Sequence, residues 1–207
     1  MFIELIDALR CPSEHGPIAL VATIIRRDGR QIVDGLLGCP MCRREFPIRD
    51  GIAWFRPPDA VSTTPAWNSP PQEEGAIRIG AFLGASEGIM VALVGEWARY
   101  AAELAELAGL RVFAVNPRGP VEESERVGVL YSDNQLPFRG YSLRGIAIGA
   151  PAWSPQEMDL ATRTLAYSGR MVAPASAPLP RAVEEIARDD SVWIAEKRAA
   201  LVGLHRR

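Results

Sequence analysis

The chain is short of the groups on which most catalysis depends. Its 207 residues include three cysteines and two histidines, and the only histidine outside the cysteine-rich stretch is His205. No nucleophile-and-base pair can be assembled from this set. Neither a GxxxxGK[ST] phosphate loop nor an HExxH helix is present. Charge of one sign is lacking as well: 23 Lys and Arg face 25 Asp and Glu, giving a net charge of −2 and a pI near 5.8. Such a balance gives no support to a surface built to neutralise nucleic-acid phosphates. Arg26, Arg27, Arg30, Arg43 and Arg44 fall on one short stretch, but no aromatic residues interleave with them, so they read as solvated hairpin surface. Long apolar runs are also absent. The opening MFIELIDALRC is broken by Glu4, Asp7 and Arg10, well short of a signal-peptide core or a membrane span. These absences lead to the expectation of a cytoplasmic protein with no membrane partner.

What is present is enough apolar residue, 48%, for a real core, in a length that suits a small unit followed by a medium one. All three cysteines lie within the first 42 residues, and their odd number would leave one unpaired in a disulfide framework. Metal ligation accounts better for the clustering. Cys39-Pro-Met-Cys42 is a Cys-x-x-Cys knuckle whose gap lets both thiolates face one ion. The segment CPSEHG supplies Cys11 and a fourth ligand, for which imidazole chemistry favours His15 over Glu14. Between the two halves, Ile18–Ile25 and Gln31–Leu37 read as strands joined at Asp28-Gly29, and Phe46 to Trp54 as a second hairpin turning at Asp50-Gly51. The expected metal is zinc, in a closed site that supports folding rather than chemistry.

From Pro57 to Glu74 five prolines with Ser, Thr and Asn erase the periodicity, which places a linker over residues 57–75 between units 1–56 and 76–207. Trp67 within it needs something to pack against, so the linker is expected to lie on the second unit. Separate cores would let the second unit survive loss of the metal. Beyond the linker, Ile89–Val94, Leu110–Val115, Val127–Tyr131, Arg144–Ile148, Arg170–Ala173 and Val192–Lys197 read as strands. Helices are expected over Glu96–Ala108, Pro155–Tyr167 and Pro180–Arg188. The alternation predicts an α/β fold, with the small zinc-ribbon-like β module followed by a doubly wound Rossmann-like domain.

Two resemblances sharpen this. LIDALRCPSEHGPIAL followed by GCPMCRREFPIRDGIAWF resembles the small zinc-ribbon family whose best-known eukaryotic member is the activator subunit of tRNA, rRNA and release-factor methyltransferases. Many bacterial relatives carry a second cysteine three places after the first. Glu14 stands there in this chain, which leaves His15, Glu14 or no protein group as the fourth ligand. The stretch Arg78–Lys197 is similar to the class I methyltransferase fold that binds S-adenosylmethionine, carried by IMVALVGEWARYAAELAELAGLRVFAVNP and the segments after it.

That second resemblance implies a cofactor site at Gly95, Glu96, Trp97, Asn116, Asp133 and Asn134, with altered chemistry. Active members have a glycine-rich loop where Gly95, Glu96 and Trp97 stand, and an acid accepting from the ribose hydroxyls where Asn116 stands. Arg144 lies in a region where an acid is usual. With no catalytic residue assigned, the expectation is a zinc-binding interaction or regulatory protein. Its methyltransferase-like domain has lost catalysis, and its partner is a protein such as a methyltransferase. The alternative is an active S-adenosylmethionine-dependent methyltransferase with a divergent loop, since methyl transfer depends mainly on alignment.

Overall fold

Period-2 alternation draws four short strands out of the N-terminal segment: β1 (Val21–Asp28), β2 (Gln31–Gly38), β3 (Glu45–Arg49) and β4 (Ile52–Trp54), each antiparallel to the next. The first turn is taken at Gly29, whose φ of +53° suits a residue without a side chain. These coordinates, a computed structural model, describe residues 1–58, 67, 70–133, 135–149 and 153–198. A single helical turn, α1 (Ile3–Ile6), precedes the strands.

Continuous apolar runs form the central parallel strands β5 (Met90–Val94), β6 (Arg111–Val115), β7 (Val127–Tyr131) and β8 (Leu143–Ile148), with β9 (Leu165–Pro174) beyond them. From β5 the chain steps to β6 and β7 on one side, then returns to β8 and β9 on the other. The order reverses between β5 and β8, as in a doubly wound sheet. β10 (Val183–Arg188) and β11 (Val192–Lys197) close the far edge as an antiparallel hairpin, with β11 beside β9.

The N-terminal strands do not form a sheet of their own. β4 runs parallel to β7, with Ala53 opposite Leu130 and Trp54 opposite Tyr131, and the N–H of Phe55 donates to Tyr131 O at 2.7 Å. The result is one 11-stranded sheet in the order β1-β2-β3-β4-β7-β6-β5-β8-β9-β11-β10. Side chains alternate across it. Val91, Leu93, Val112, Ala114 and Val129 face a layer made by α2 (Gly75–Leu83), the 3₁₀ turn Gly95–Tyr100 and α3 (Ala101–Ala108). Ala92, Val94, Phe113, Val115 and Leu130 face the other way, into a core shared with Leu5 and Leu9, with Ile32, Leu37, Phe46 and Ile48 of the strands, and with Met158 of α4 (Pro155–Thr164).

Four expectations are corrected by this arrangement. The cores of the N-terminal module and the second unit are not separate. Among the described residues, the connections from β6 to β7 and from β7 to β8 carry no α-helix, and α1 covers the face they leave open. Pro180–Arg188 is not a helix. Despite the helix-forming Glu184, Glu185, Ala187 and Arg188, the segment pairs with β11, and hairpin hydrogen bonding overrides propensity. The helix expected over Glu96–Ala108 begins only at Ala101, after the 3₁₀ turn, and α2 lies where no element was expected.

Of the proline-rich segment, Trp67 and Gln72 rest on residues of the second unit. A Cβ on Gly119 would fall 2.4 Å from Trp67 Nε1, so the indole rests directly on that backbone. The Arg99 guanidinium sits 4.7 Å from the centre of the Trp67 ring. The N–H of Gln72 donates to Tyr100 Oη at 2.8 Å.

The closeness of α1 to β7 is measurable. A Cβ on Gly128 would lie 3.0 Å from Leu5 Cδ1 and 3.2 Å from both Met1 Sδ and Phe113 Cε1. Gly128→Val is expected to lower stability by about 1–3 kcal/mol through overpacking, read as an earlier urea midpoint.

Candidate metal centre and cofactor crevice

The loop after α1 and the knuckle after β2 bring Cys11, His15, Cys39 and Cys42 together, with their ligand atoms all within 4.8 Å of one another. Cys11 Sγ lies 3.6 Å from Cys42 Sγ, and Cys39 Sγ 3.3 Å from His15 Nε2. These separations are close to the edges, roughly 3.5–3.8 Å, of a tetrahedron with Zn–S near 2.3 Å and Zn–N near 2.0 Å. Glu14 is not in the group; the side chain beside the three sulfurs is His15. The His15 Nδ1 atom is 2.8 Å from Gly16 O, a contact that fixes the proton on Nδ1 and leaves Nε2 free to ligate. The knuckle is closed by Arg43 N–H to Cys39 O and Cys39 N–H to Arg44 O, both 2.9 Å.

The local field prepares the sulfurs unequally. The Cys42 thiol is held down to about 6, first by the backbone N–H of Arg44 and then, against desolvation, by the side chains of Ser13, His15 and Cys39. Burial pushes the Cys11 thiol up. The His15 imidazole is raised, first by the Gly16 carbonyl. Thiolates are the ligating form, so the cluster offers the donor chemistry that zinc prefers and leaves no fourth position for a reacting water.

The second candidate site lies where doubly wound sheets bind ligands, at the strand C-termini beside the order reversal. A cavity of about 300 Å³ there is lined by Glu96 and Trp97 after β5, Gly149 after β8, Pro174 after β9, and Gly75 and Arg78 of α2. The residues implied by the methyltransferase resemblance do not converge on it. Glu96 and Trp97 line it, whereas Asn116 and Asp133 do not. Asp133 faces a different hollow, beside Pro12 and Arg44. Asn134 lies outside the described residues.

The two polar groups expected to face a cofactor are instead engaged within the chain. Asn116, in a left-handed conformation at φ +49°, donates through Nδ2 to Ser132 O and accepts at Oδ1 from Ser132 N–H, both at 2.9 Å. The amide therefore ties the ends of β6 and β7 together. Glu96 Oε1 lies 3.5 Å from Arg118 Nη1, a bridge from the end of β5 to the loop after β6, and both its oxygens are shielded from solvent without a hydrogen bond. Gly95 takes φ +67° and starts the 3₁₀ turn. A Cβ on Gly149 would lie 3.1 Å from Glu96 N, so the turn is pressed against the end of β8. Arg144, the third position of altered chemistry, is elsewhere, donating to Tyr167 O at 2.8 Å. Ser132 and Arg118 carry no local sequence signal of these roles, because both act on residues 16 and 22 positions away.

Residues 3–51 match the Trm112p-like protein family. The Trm112p-like segment thus covers α1, β1 to β3 and all four clustered ligands. No curated protein sequence matches the chain. Similar solved structures include geranyl diphosphate C-methyltransferase from Streptomyces coelicolor A3(2), at 11% identity and a TM-score of 0.46 over 64% of this chain and 85% of that one. A putative S-adenosyl-L-methionine-dependent methyltransferase from Methanococcus maripaludis gives 12% and 0.45 over 61% and 85%. Phosphoethanolamine N-methyltransferase 2 from Haemonchus contortus gives 17% and 0.41 over 55% of this chain and 32% of that one.

Elemental analysis of protein purified without chelator is expected to find about one zinc per chain. Because the Trm112p-like segment shares its core with the rest of the sheet, Cys39→Ser is expected to lower the melting midpoint of the whole chain in one transition, checked by calorimetry. Asn116→Asp removes the Nδ2–H that serves Ser132 O and sets two acceptors face to face. A loss of about 1–3 kcal/mol is expected in urea unfolding.

Proposed function

We propose that this chain is a zinc-stabilised interaction or regulatory protein whose methyltransferase-like domain does not turn over. The observation that carries the reading is the engagement of Asn116 by Ser132 and of Glu96 by Arg118. A ribose needs an accepting oxygen at the end of β6, and here both ends of the amide are already bonded. An amino-acid moiety needs close approach to the backbone after β5, where Glu96 and Trp97 add bulk. Zinc would be held by Cys11, His15, Cys39 and Cys42 and would supply folding energy to the N-terminal module.

A protein partner is the natural object of such a molecule. Among the described residues the outer strand β1 has no neighbour along one edge, and it exposes Val21, Ile24 and Ile25. The opposite edge of the module, β4, is already spent on β7. A partner, a methyltransferase included, would therefore be met at β1 rather than at β4.

The competing reading, an active methyltransferase with a divergent loop, is favoured by the cavity of about 300 Å³ at the cofactor end of the sheet. Calorimetric titration of the full chain with S-adenosylmethionine separates the two. No saturable heat and no rise in melting temperature are expected at cofactor concentrations up to about 1 mM, since a ligand bound only by the native state must stabilise it. Saturable binding in the micromolar range, or methyl transfer by the purified protein, overturns the proposal in favour of the enzyme.

A further inference from the structure

Between the metal cluster and the far half of the sheet lies a larger cavity, of about 480 Å³, within the range of roughly 300–1,000 Å³ typical of small-molecule sites. Cys11 and His15 form one wall. Arg10, Arg163 of α4 and Lys197 at the end of β11 bring three cations to it, and no acidic residue lines it among the described residues.

Among the described residues none of these cations forms an ion pair, although Asp7 lies near enough to Arg10 to act on its charge. Lys197 is 8% exposed, yet its Nζ donates only to the carbonyls of Thr162 and Leu165, both at 2.6 Å, and lies 4.4 Å from the centre of the Tyr141 ring. Buried ammonium groups are ordinarily matched by a carboxylate. The guanidinium of Arg163 makes no hydrogen bond or ion pair with the described residues. Arg10 spends Nη1 on the carbonyls of Asp7 and Leu9 and keeps its other donors. Tyr141, also lining the cavity, is 56% exposed and held at φ +61°, a left-handed backbone that an aromatic residue rarely adopts.

Charge arithmetic narrows the ligand. Against the three cations of the wall, Asp7 beside Arg10 sets one negative charge, so two positive charges remain. A phosphate monoester brings about −2 at neutral pH and three acceptor oxygens, whereas a carboxylate brings one charge. Pro17, Leu160 and the exposed Tyr141 ring supply a surface for an apolar body.

We propose that this cavity binds the phosphate monoester of a small ring-bearing molecule, with Arg10, Arg163 and Lys197 on the phosphate and Tyr141 against the ring. The site stands apart from the crevice after β5, and its occupancy is independent of whether that crevice takes a cofactor.

The test is calorimetric titration of the zinc-loaded 207-residue chain with phenyl phosphate, inorganic phosphate and benzoate at fixed ionic strength. Phenyl phosphate is expected to bind saturably and more tightly than the other two. Arg163→Gln changes an exposed side chain and is expected to weaken phenyl phosphate about tenfold, the scale of one lost charge-assisted hydrogen bond. Tyr141→Asn, which tolerates the left-handed backbone, should weaken phenyl phosphate while leaving inorganic phosphate within about twofold. Absence of saturable phenyl phosphate binding, binding unchanged in Arg163→Gln, or benzoate binding as tightly as phenyl phosphate each overturns the proposal.

Discussion

The parallel contact of β4 with β7 is the constraint from which the rest of the molecule follows. A doubly wound sheet ending at β7 would present a row of unpaired N–H and C=O groups, and such an edge needs to be paired or covered. Ala53, Trp54 and Phe55 pair it, and the N-terminal strands become its continuation. Once that edge is joined, α1 comes to rest over β7, close enough that a Cβ at position 128 would press on Leu5 and Met1. The interface is also polar at one point. Glu123, in the loop before β7, accepts from Gln31 Nε2 at 3.0 Å and from Val129 N–H at 3.4 Å, linking β2 to β7.

This joining changes what the metal centre means for the chain. A ribbon on a flexible tether would fold on zinc as a private event. Here the residues flanking the ligands, Leu9 and Leu37 among them, belong to the core that contains Phe113, Leu130 and Phe138. Cys11 and Cys39 belong to that same core, on the face of the sheet where the described parts of the β6–β7 and β7–β8 connections carry no α-helix. The closed four-residue donor set suits that structural part, since it leaves no open coordination position for chemistry.

The crevice at the strand ends shows the same economy in a different form. Polar groups at the strand ends are bonded within the chain: Asn116 fastens β6 to β7 through Ser132, and Glu96 reaches Arg118 across the loop ends. The linker reinforces this, with Trp67 on Gly119 and Gln72 on Tyr100, so chain that leaves the metal module returns over the same end of the sheet. The basic cavity by Lys197 is the opposite case, where three cations have been gathered with no carboxylate on the lining among the described residues.

The sequence by itself determined the local and chemical features. The Cys-x-x-Cys knuckle and CPSEHG specify a metal cluster because ligand spacing is a property of a few adjacent residues. Asp28-Gly29 and Asp50-Gly51 mark hairpins because turn geometry is local, and the apolar runs at β5 to β8 announce buried strands because burial on both faces leaves no alternation. Only the tertiary structure decided the rest. The approach of His15 to the sulfurs depends on where β2 carries Cys39. The strand at Val183–Arg188 depends on β11, against its own helical propensity. The merging of two expected cores depends on the edge of β7, and the capture of Asn116 by Ser132 on two strand ends meeting. Each of these is a contact between residues far apart in the chain, whose energy no local pattern records until the sheet has closed around them.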